Sequence, residues 1–448
     1  MELANSLRRL WRHSRFRKLL AIRYVSQTAD GTLQVGMASY VLLSPTEQPN
    51  AWAITSVLAI TLLPFSIFGP FVSVTLDRWS RRQVAVVVEV ARLVLSIALA
   101  ATVWLGDRGT ASTIVLYGLL LVSLSLNRYL LAGLSAALPH TIDDDEFLMA
   151  NSIMPTIGPA GVLVGAGIAA SLRWLLSRWM PMNHADAFVF LAAGFGFANS
   201  AMLALRFGRH DLGPDAHEVR TTTASEVMSG LVGAGRHLRR KSPALLGLIV
   251  IGSQRFLFGM WSVASVLVFR NHFHSEADLP RATRDLVIWA GMTGAGFVAS
   301  AVLVPMLTKR LGLRKSLVAL LLALAVVSVV PGMIIQRWPL FAASFLVGLF
   351  SQAIKAGVDT LVQAHVDDDM KGRVFVIYDI IYNVAMVAAA ALAAAVLPLG
   401  GVSLPVYGAW ALTYLGLAGL FLVASHRIGD ARFNRGTEAS QHAAGPPD

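Results

Sequence analysis

The chain has 448 residues, 55% hydrophobic and only 14% charged, with a mean hydropathy of +0.62. A soluble domain carries about 25% charged residues, so this composition excludes an ordinary globular protein and predicts a chain that crosses a membrane many times. The net charge of +11 matters through its placement, and the absence of cysteine excludes disulfides and thiolate metal sites.

Residues 1–18 carry Arg8, Arg9, Arg12, Arg15, Arg17 and Lys18 ahead of the first apolar run. That run, 19–43, is long enough to span and shows no cleavage site, so it reads as a retained first helix. Further runs able to cross a hydrocarbon core of roughly 30 Å lie near 51–76, 84–105, 111–136, 150–172, 186–205, 244–269, 285–308, 316–336, 338–362, 374–397 and 403–425. The expectation is an all-α polytopic membrane protein with twelve transmembrane helices. Residues 206–242, with Gly213-Pro214-Asp215 and the basic cluster Arg236, Arg239, Arg240 and Lys241, read as a cytoplasmic linker between bundles 19–205 and 243–425. Residues 426–448 read as a polar cytoplasmic tail.

Lys and Arg in the connections set orientation. Of the 37 in the chain, only Arg108, Arg173, Arg178, Arg270, Arg281, Arg284 and Arg337 fall in connections on the side opposite the N-terminus. Both termini are therefore expected in the cytoplasm, with the protein multi-pass in the plasma (inner) membrane of a prokaryote. The halves also repeat: Ala132-Gly133 with Asp143-Asp144-Asp145 recurs as Ala356-Gly357 with Asp367-Asp368-Asp369, 224 residues on. A basic loop, Lys309 to Lys315, follows the eighth span much as Asp77 to Arg82 follows the second. Equivalent loops in equivalent places indicate two pseudo-symmetric six-helix bundles.

Nine ionisable residues fall inside the spans: Arg23, Asp30, Glu89, Arg92, Arg128, Arg255, Lys355, Asp359 and Asp379. At about 2.5–3.5 kcal/mol each, exposing them to lipid would cost on the order of 25 kcal/mol, more than a fold's whole margin. They must face water, one another or packed protein. In the first span Arg23, Gln27, Asp30 and Gln34 stack on one helical face, and in the tenth Gln352, Lys355, Asp359 and Gln363 do the same. The fourth span adds Asn127 and Arg128, and the seventh adds Ser253, Gln254 and Arg255. Asp30 and Arg255 each lie about eleven residues into their spans, near the midplane at a rise of 1.5 Å per residue. Asp30 is the leading candidate for a coupling proton, with a nearby cation such as Arg255; a permanent ion pair is the alternative. Asp359 and Asp379 are further proton candidates. Arg128 and Lys355 could take an anionic substrate group or pair with these acids, and Arg23 could snorkel to the interface. Glu89 and Arg92, at i and i+3, are expected to pair within one helix as a structural element.

The connection Ser73-Val74-Thr75-Leu76-Asp77-Arg78-Trp79-Ser80-Arg81-Arg82 resembles the loop Gly-x-x-x-Asp-Arg-x-Gly-Arg-Arg of major facilitator superfamily transporters. Asp77, Arg78, Arg81 and Arg82 match; Ser73 and Ser80 stand where that family has glycine. Ser26 to Gly31, Ala137-Leu138-Pro139 leading to Ala150-Asn151-Ser152, and Lys371 to Phe375 look like the branch of macrolide and multidrug, siderophore and lysophospholipid exporters. The resemblance implies a major facilitator fold whose first, fourth, seventh and tenth helices line a central cavity. The repeat has Lys309 where the first half has Asp77, so a one-sided cytoplasmic gate is expected, in which Asp77 latches the outward-facing state at the start of the eleventh span near Gly372 and Arg373, where the helix dipole favours an anion. Gly158-Pro159-Ala160-Gly161, followed by Gly165 and Gly167, is similar to the Gly-Pro motif of exporters in their fifth helix, a hinge expected to bend against Gly291, Gly294 and Gly296 of the eighth.

No phosphate-binding Gly-x-x-x-x-Gly-Lys-Ser/Thr loop occurs, and the histidines lie at or outside span ends, so no enzyme, cofactor or metal site is expected. The implied activity is a proton-coupled antiporter exporting small amphiphilic compounds such as drugs by alternating access. Its partners would be a small-molecule or lipid substrate, protons and membrane lipids, with no nucleic acid and a monomeric state. The alternatives are a lipid or lysophospholipid flippase and, less favoured, a non-transporting scaffold or sensor.

Overall fold

A backbone in lipid must satisfy every N–H and C=O within its own segment, which leaves the uninterrupted helix as the local solution for each apolar run. The computed structural model describes residues 10–42, 52, 54–56, 58–60, 62, 79–105, 110–143, 147–208, 211–213, 224–275, 278–429 and 433, and no strand occurs among them. Among the described residues, nine helices are long and apolar enough to cross a membrane. The fold is that of an all-α polytopic membrane protein. The chain divides into two units, residues 1–42 with 60–227 and residues 43–59 with 228–448.

In the first unit, α1 (Ser14–Leu42) is the first expected span; its polar stripe keeps it outside the nine. Of the second span only 52, 54–56, 58–60 and 62 are described, all helical. The third to sixth spans are α2 (Arg81–Trp104), α3 (Thr110–Ala137), α4 (Phe147–Leu176) and α5 (Met182–Leu205). Helix α1 packs on α4 and α5, and α2 on α3 and α5.

The α1–α4 contact is built from absent side chains. A Cβ on Gly165 would lie 1.9 Å from the Thr28 carbonyl oxygen, one on Gly31 2.3 Å from that of Val162, and one on Gly161 2.9 Å from that of Tyr24. Small residues at this spacing let two backbones touch. Within its unit the fifth span therefore makes its close approach to the first; within the second unit Gly296 packs on the backbone of Phe345.

The second unit holds α6 (Ala224–Arg240, from Met228 onward), α7 (Ser242–Leu267), α8 (Leu279–Ser328), the short α9 (Val330–Met333), α10 (Arg337–His365), α11 (Asp368–Val396) and α12 (Leu404–Ile428). The expected linker 206–242 thus contains a helix: Leu231, Ala234 and Leu238 fall on one face, with Ala234 and Leu238 buried. The eighth and ninth spans are two helices, numbered together as α8, that meet at a kink at Gly312 (φ 75°, ψ 162°). Lys, Arg and Leu on either side are good helix formers, so the loop expected over 309–315 shrinks to the one residue that tolerates positive φ.

Equivalent packings recur. The first span meets the fifth and sixth in one unit; the seventh meets the eleventh and twelfth in the other. The repeat extends to side chains: His13 Nε2 lies 3.8 Å from Asp143 Oδ2, and 224 positions on, His237 Nε2 lies 3.7 Å from Asp367 Oδ2.

Candidate functional site

In the first unit, four helices converge on one guanidinium. Arg92 of α2 is fully buried, as is Glu89 one turn before it, and Asp30 of α1 is 1% exposed. Arg92 forms an ion pair and hydrogen bond with Asp30 Oδ1. It also donates to Asn127 Oδ1 of α3 at 3.3 Å, to Ser26 Oγ of α1 at 3.4 Å and to Ser123 Oγ of α3 at 3.5 Å. Its guanidinium carbon lies 3.9 Å from the ring centre of Phe197 on α5. This rigid planar fork suits arginine, whose donors and stacking face are satisfied together. Gln34 donates to Asp30 Oδ2, and Gln27 donates to Asn127 Oδ1 at 3.0 Å, closing the network along the polar face of α1.

Glu89 is the second acid. Ser200 Oγ of α5 donates to its Oε1 at 2.7 Å, and its Oε2 stands 3.9 Å from Arg92 Nη1 with no hydrogen bond. One guanidinium thus faces two carboxylates in a buried interior. The Glu89–Arg92 contact exists, but Arg92 is turned chiefly to Asp30. Within this unit the cation on Asp30 is Arg92: depth fixes a level in the membrane, whereas the partner is set by which neighbouring helix presents a donor at that level.

In the second unit, Arg255 of α7 is 2% exposed and sits against aromatic rings, its guanidinium carbon 4.2 Å from the centre of Tyr382 and 5.1 Å from that of Phe258. Gln254 beside it is fully buried. On α10, Lys355 Nζ donates to Asp359 Oδ2 at 2.6 Å, an i, i+4 pair, so that lysine is already engaged. Lys355 also lies 5.7 Å from the ring centre of Tyr378, which stacks near Tyr382. Asp379 is exposed on α11, three residues before Tyr382.

Two MFS-type transporters, from Mycobacterium bovis and Mycobacterium tuberculosis, are each 30% identical to this chain over 396 residues, covering 87% of it and 87% of themselves. The chain belongs to the major facilitator superfamily. It is a membrane transporter of that type, not an enzyme. Among solved structures, the nucleoside transporter NupG superposes with a TM-score of 0.66 at 11% identity, over 92% of this chain and 99% of that one. The POT family transporter PepTSo gives 0.64 at 12%, over 93% and 99%. Both likenesses show the fold. No family model matches the chain.

Of the residues expected to form the cytoplasmic gate of this major facilitator protein, Ser73, Asp77 and Arg78 lie outside the described residues. Arg82 caps the end of α5, and Arg81 holds the turn at 211–213. Arg81 Nη1 donates to the Leu212 carbonyl at 3.2 Å, and its backbone N–H to that of Gly213 at 3.2 Å. Arg82 donates to the Leu205 carbonyl, at the end of α5, at 3.4 Å. Cations at a helix C-terminus meet its unpaired carbonyls and its dipole. Gly213 has φ +72°, and a Cβ there would lie 2.6 Å from Arg81 Nη1, so glycine is required. Arg373 lies against Gly230 of α6, and Gly372 faces open space. Arg23 reaches Ser135 of α3 at 3.5 Å, and Arg128 is half-buried beside Asn127.

Sequence reasoning missed two buried acids at span ends. Asp186 accepts from Arg173 at 2.5 Å, and Asp285 meets His274 at 2.9 Å and Arg337 at 3.4 Å. Each lies at a predicted boundary, where a carboxylate costs too little to stand out. The partnership of Ser26, Ser123, Phe197 and Ser200 with the central charges was also illegible, since serine is unremarkable in a membrane helix.

Proposed function

We propose that this transporter is a proton-coupled exporter of small amphiphilic compounds that works by alternating access, with Asp30, Glu89 and Arg92 as its proton site. The observation that carries the reading is the charge count of the buried cluster: two carboxylates face one guanidinium, so neutrality requires one added proton. A buried ion is costly unless compensated, which favours binding that proton when the cluster is dry and releasing it when water reaches Asp30. Gln34 and Gln27 continue the polar face of α1 on either side of Asp30. The guanidinium of Arg255, held between rings, supplies an attachment point for an anionic or zwitterionic group, and the rings suit an apolar body. The export direction rests on the Gly158-Pro159 motif of α4.

Everted membrane vesicles test this with a panel of dyes, antibiotics, siderophores and lysolipids, with and without a proton gradient. The expected result is gradient-dependent accumulation by the wild type and loss of gradient dependence in Asp30→Asn. Coupling that persists in Asp30→Asn sinks the proton-site assignment. A lipid-transport reading is favoured by a second observation, an apolar cavity of about 710 Å³ within the second unit, lined by Phe256, Met260, Ile381, Val384 and Trp410 among others. It would accept an acyl chain, and lysolipid movement that ignores the gradient would select that reading.

A further inference from the structure

The second unit carries another cavity, of about 770 Å³, away from the residues discussed so far. Its walls include Arg240 and Lys241 at the end of α6, Ser242 at the start of α7, His365 at the end of α10, Asp367 before α11 and Arg427 at the end of α12. Three membrane-length helices thus begin or end in its wall, which places it at the membrane interface. The one acid among the described lining residues is already taken, because Lys241 Nζ donates to Asp367 Oδ1 at 2.6 Å and His237 stands 3.7 Å from the other oxygen. Neither Arg240 nor Arg427 has an ion-pair partner among the described residues. Among the described residues the cavity therefore presents two guanidiniums with no ion-pair partner beside the N-terminal end of α7, and each of these features attracts an anion.

The preceding helix is built to lie in the same interface. Met228 and Val232 are 50% and 47% exposed, and Arg236, Arg239 and Arg240 are exposed as well. Residues 228, 232, 236 and 239 follow one another at i, i+4, i+8 and i+11, so apolar and cationic groups share a stripe. A basic amphipathic helix of this kind buries its apolar residues among acyl chains and its arginines among headgroups. Lys241 and Ser242 then carry the chain directly into a membrane-spanning helix, so the cavity meets lipid without any further element.

We propose that this cavity is a binding site for the phosphate of an anionic phospholipid headgroup, held by Arg240 and Arg427. The lipid's second charge-bearing or hydroxyl group would face Ser242 and His365, and its acyl chains would run alongside α7 and α12. Basic pockets between membrane helices on the side rich in Lys and Arg are the chemistry such headgroups recognise. This site is independent of the proton site and of the transported compound.

The test uses the full-length protein, purified in detergent and titrated with phosphatidylglycerol, with phosphatidylcholine and with inorganic phosphate, bound lipid being counted by native mass spectrometry. Phosphatidylglycerol is expected to bind well above phosphatidylcholine. Arg427→Gln should weaken it about fivefold and Arg240→Gln/Arg427→Gln about 25-fold. Arg281→Gln, on an exposed arginine in the first turn of α8 and outside the cavity wall, should leave it unchanged. Arg427 is exposed in the last turn of its helix, so the single variant remains informative if the double variant melts early. Equal binding of the two lipids, unchanged phosphatidylglycerol binding in Arg427→Gln, or full displacement by inorganic phosphate at lipid-like affinity would each overturn the proposal, the last by making the site one for a free anion.

Discussion

The cost of Arg92 is the sharpest consequence at the scale of the residue. Removing it leaves Asp30 and Glu89 buried with no cation, and breaking a buried pair typically costs about 3–5 kcal/mol. Arg92→Leu should therefore lower the melting temperature in detergent far more than Asp30→Asn, which leaves Arg92 with Glu89. Glu89→Gln, which removes the surplus negative charge and keeps Ser200 as a partner, should be close to neutral in stability. A ranking with Glu89→Gln as the worst of the three would show that the cluster holds no surplus charge. The sequence made the members of this cluster visible, because an ionisable residue in a membrane span is expensive wherever it stands. It did not make the pairing visible. Helical periodicity says which residues share a face of one helix, whereas Asp30 and Arg92 are joined by the packing of α1 on α5 and α2 on α5, a tertiary fact. Lys355–Asp359, an i, i+4 pair within one helix, was open to sequence reading for the same reason that Asp30–Arg92 was not.

Helices meet in this protein where glycine lets backbones touch, and this gives paired predictions at the scale of the element. Gly165→Ala would place a Cβ 1.9 Å from the Thr28 carbonyl oxygen, so α1 and α4 must separate. Overpacking of this kind costs about 1–3 kcal/mol. Gly167, one turn-face away, has nothing within reach, and Gly167→Ala should be neutral or stabilise by up to about 1 kcal/mol through helix propensity. Melting curves of the two variants separate the cases, and equal melting points would remove the tight α1–α4 contact. At the α10–α11 junction the hydrogen bond from Lys241 holds the Asp367 carboxyl below its usual range. A depressed acid contributes stability above its unfolded pKa, near pH 4, and loses it as pH falls through the lower folded value. The difference between wild type and Asp367→Asn should thus be small at neutral pH, because the pair is exposed, and should vanish in acid. The spans were legible from apolar length alone. The α6 helix was not, because polar residues with good helix propensity look the same in a helix and in a connection.

On the scale of the whole molecule, the recurrence of a His–Asp contact 224 residues apart joins the sequence repeat to the packing of each unit, and topology follows as a testable whole. The natural absence of cysteine makes single-cysteine labelling free of background. Trp179→Cys and Trp338→Cys replace residues 82% and 77% exposed at the sparsely charged ends of their spans and should react with an impermeant maleimide in intact cells. Arg236→Cys on α6 should react only after permeabilisation. The reverse pattern would invert the protein and place both termini outside. The same tool addresses the gate. If Asp77 stabilises the outward-open state by accepting hydrogen bonds at the start of the eleventh span, it acts on the conformational equilibrium and leaves the proton cluster intact. Asp77→Asn should then raise cytoplasmic-side labelling of Gln352→Cys, on the polar face of α10, by about fivefold, the shift given by roughly 1 kcal/mol between two states. Proton coupling per transported molecule should not change. Unaltered labelling with normal insertion would leave Asp77 as one more orienting charge, whereas altered coupling stoichiometry would place it in the proton path, and the two outcomes differ because a latch shifts populations without touching the site that moves the proton.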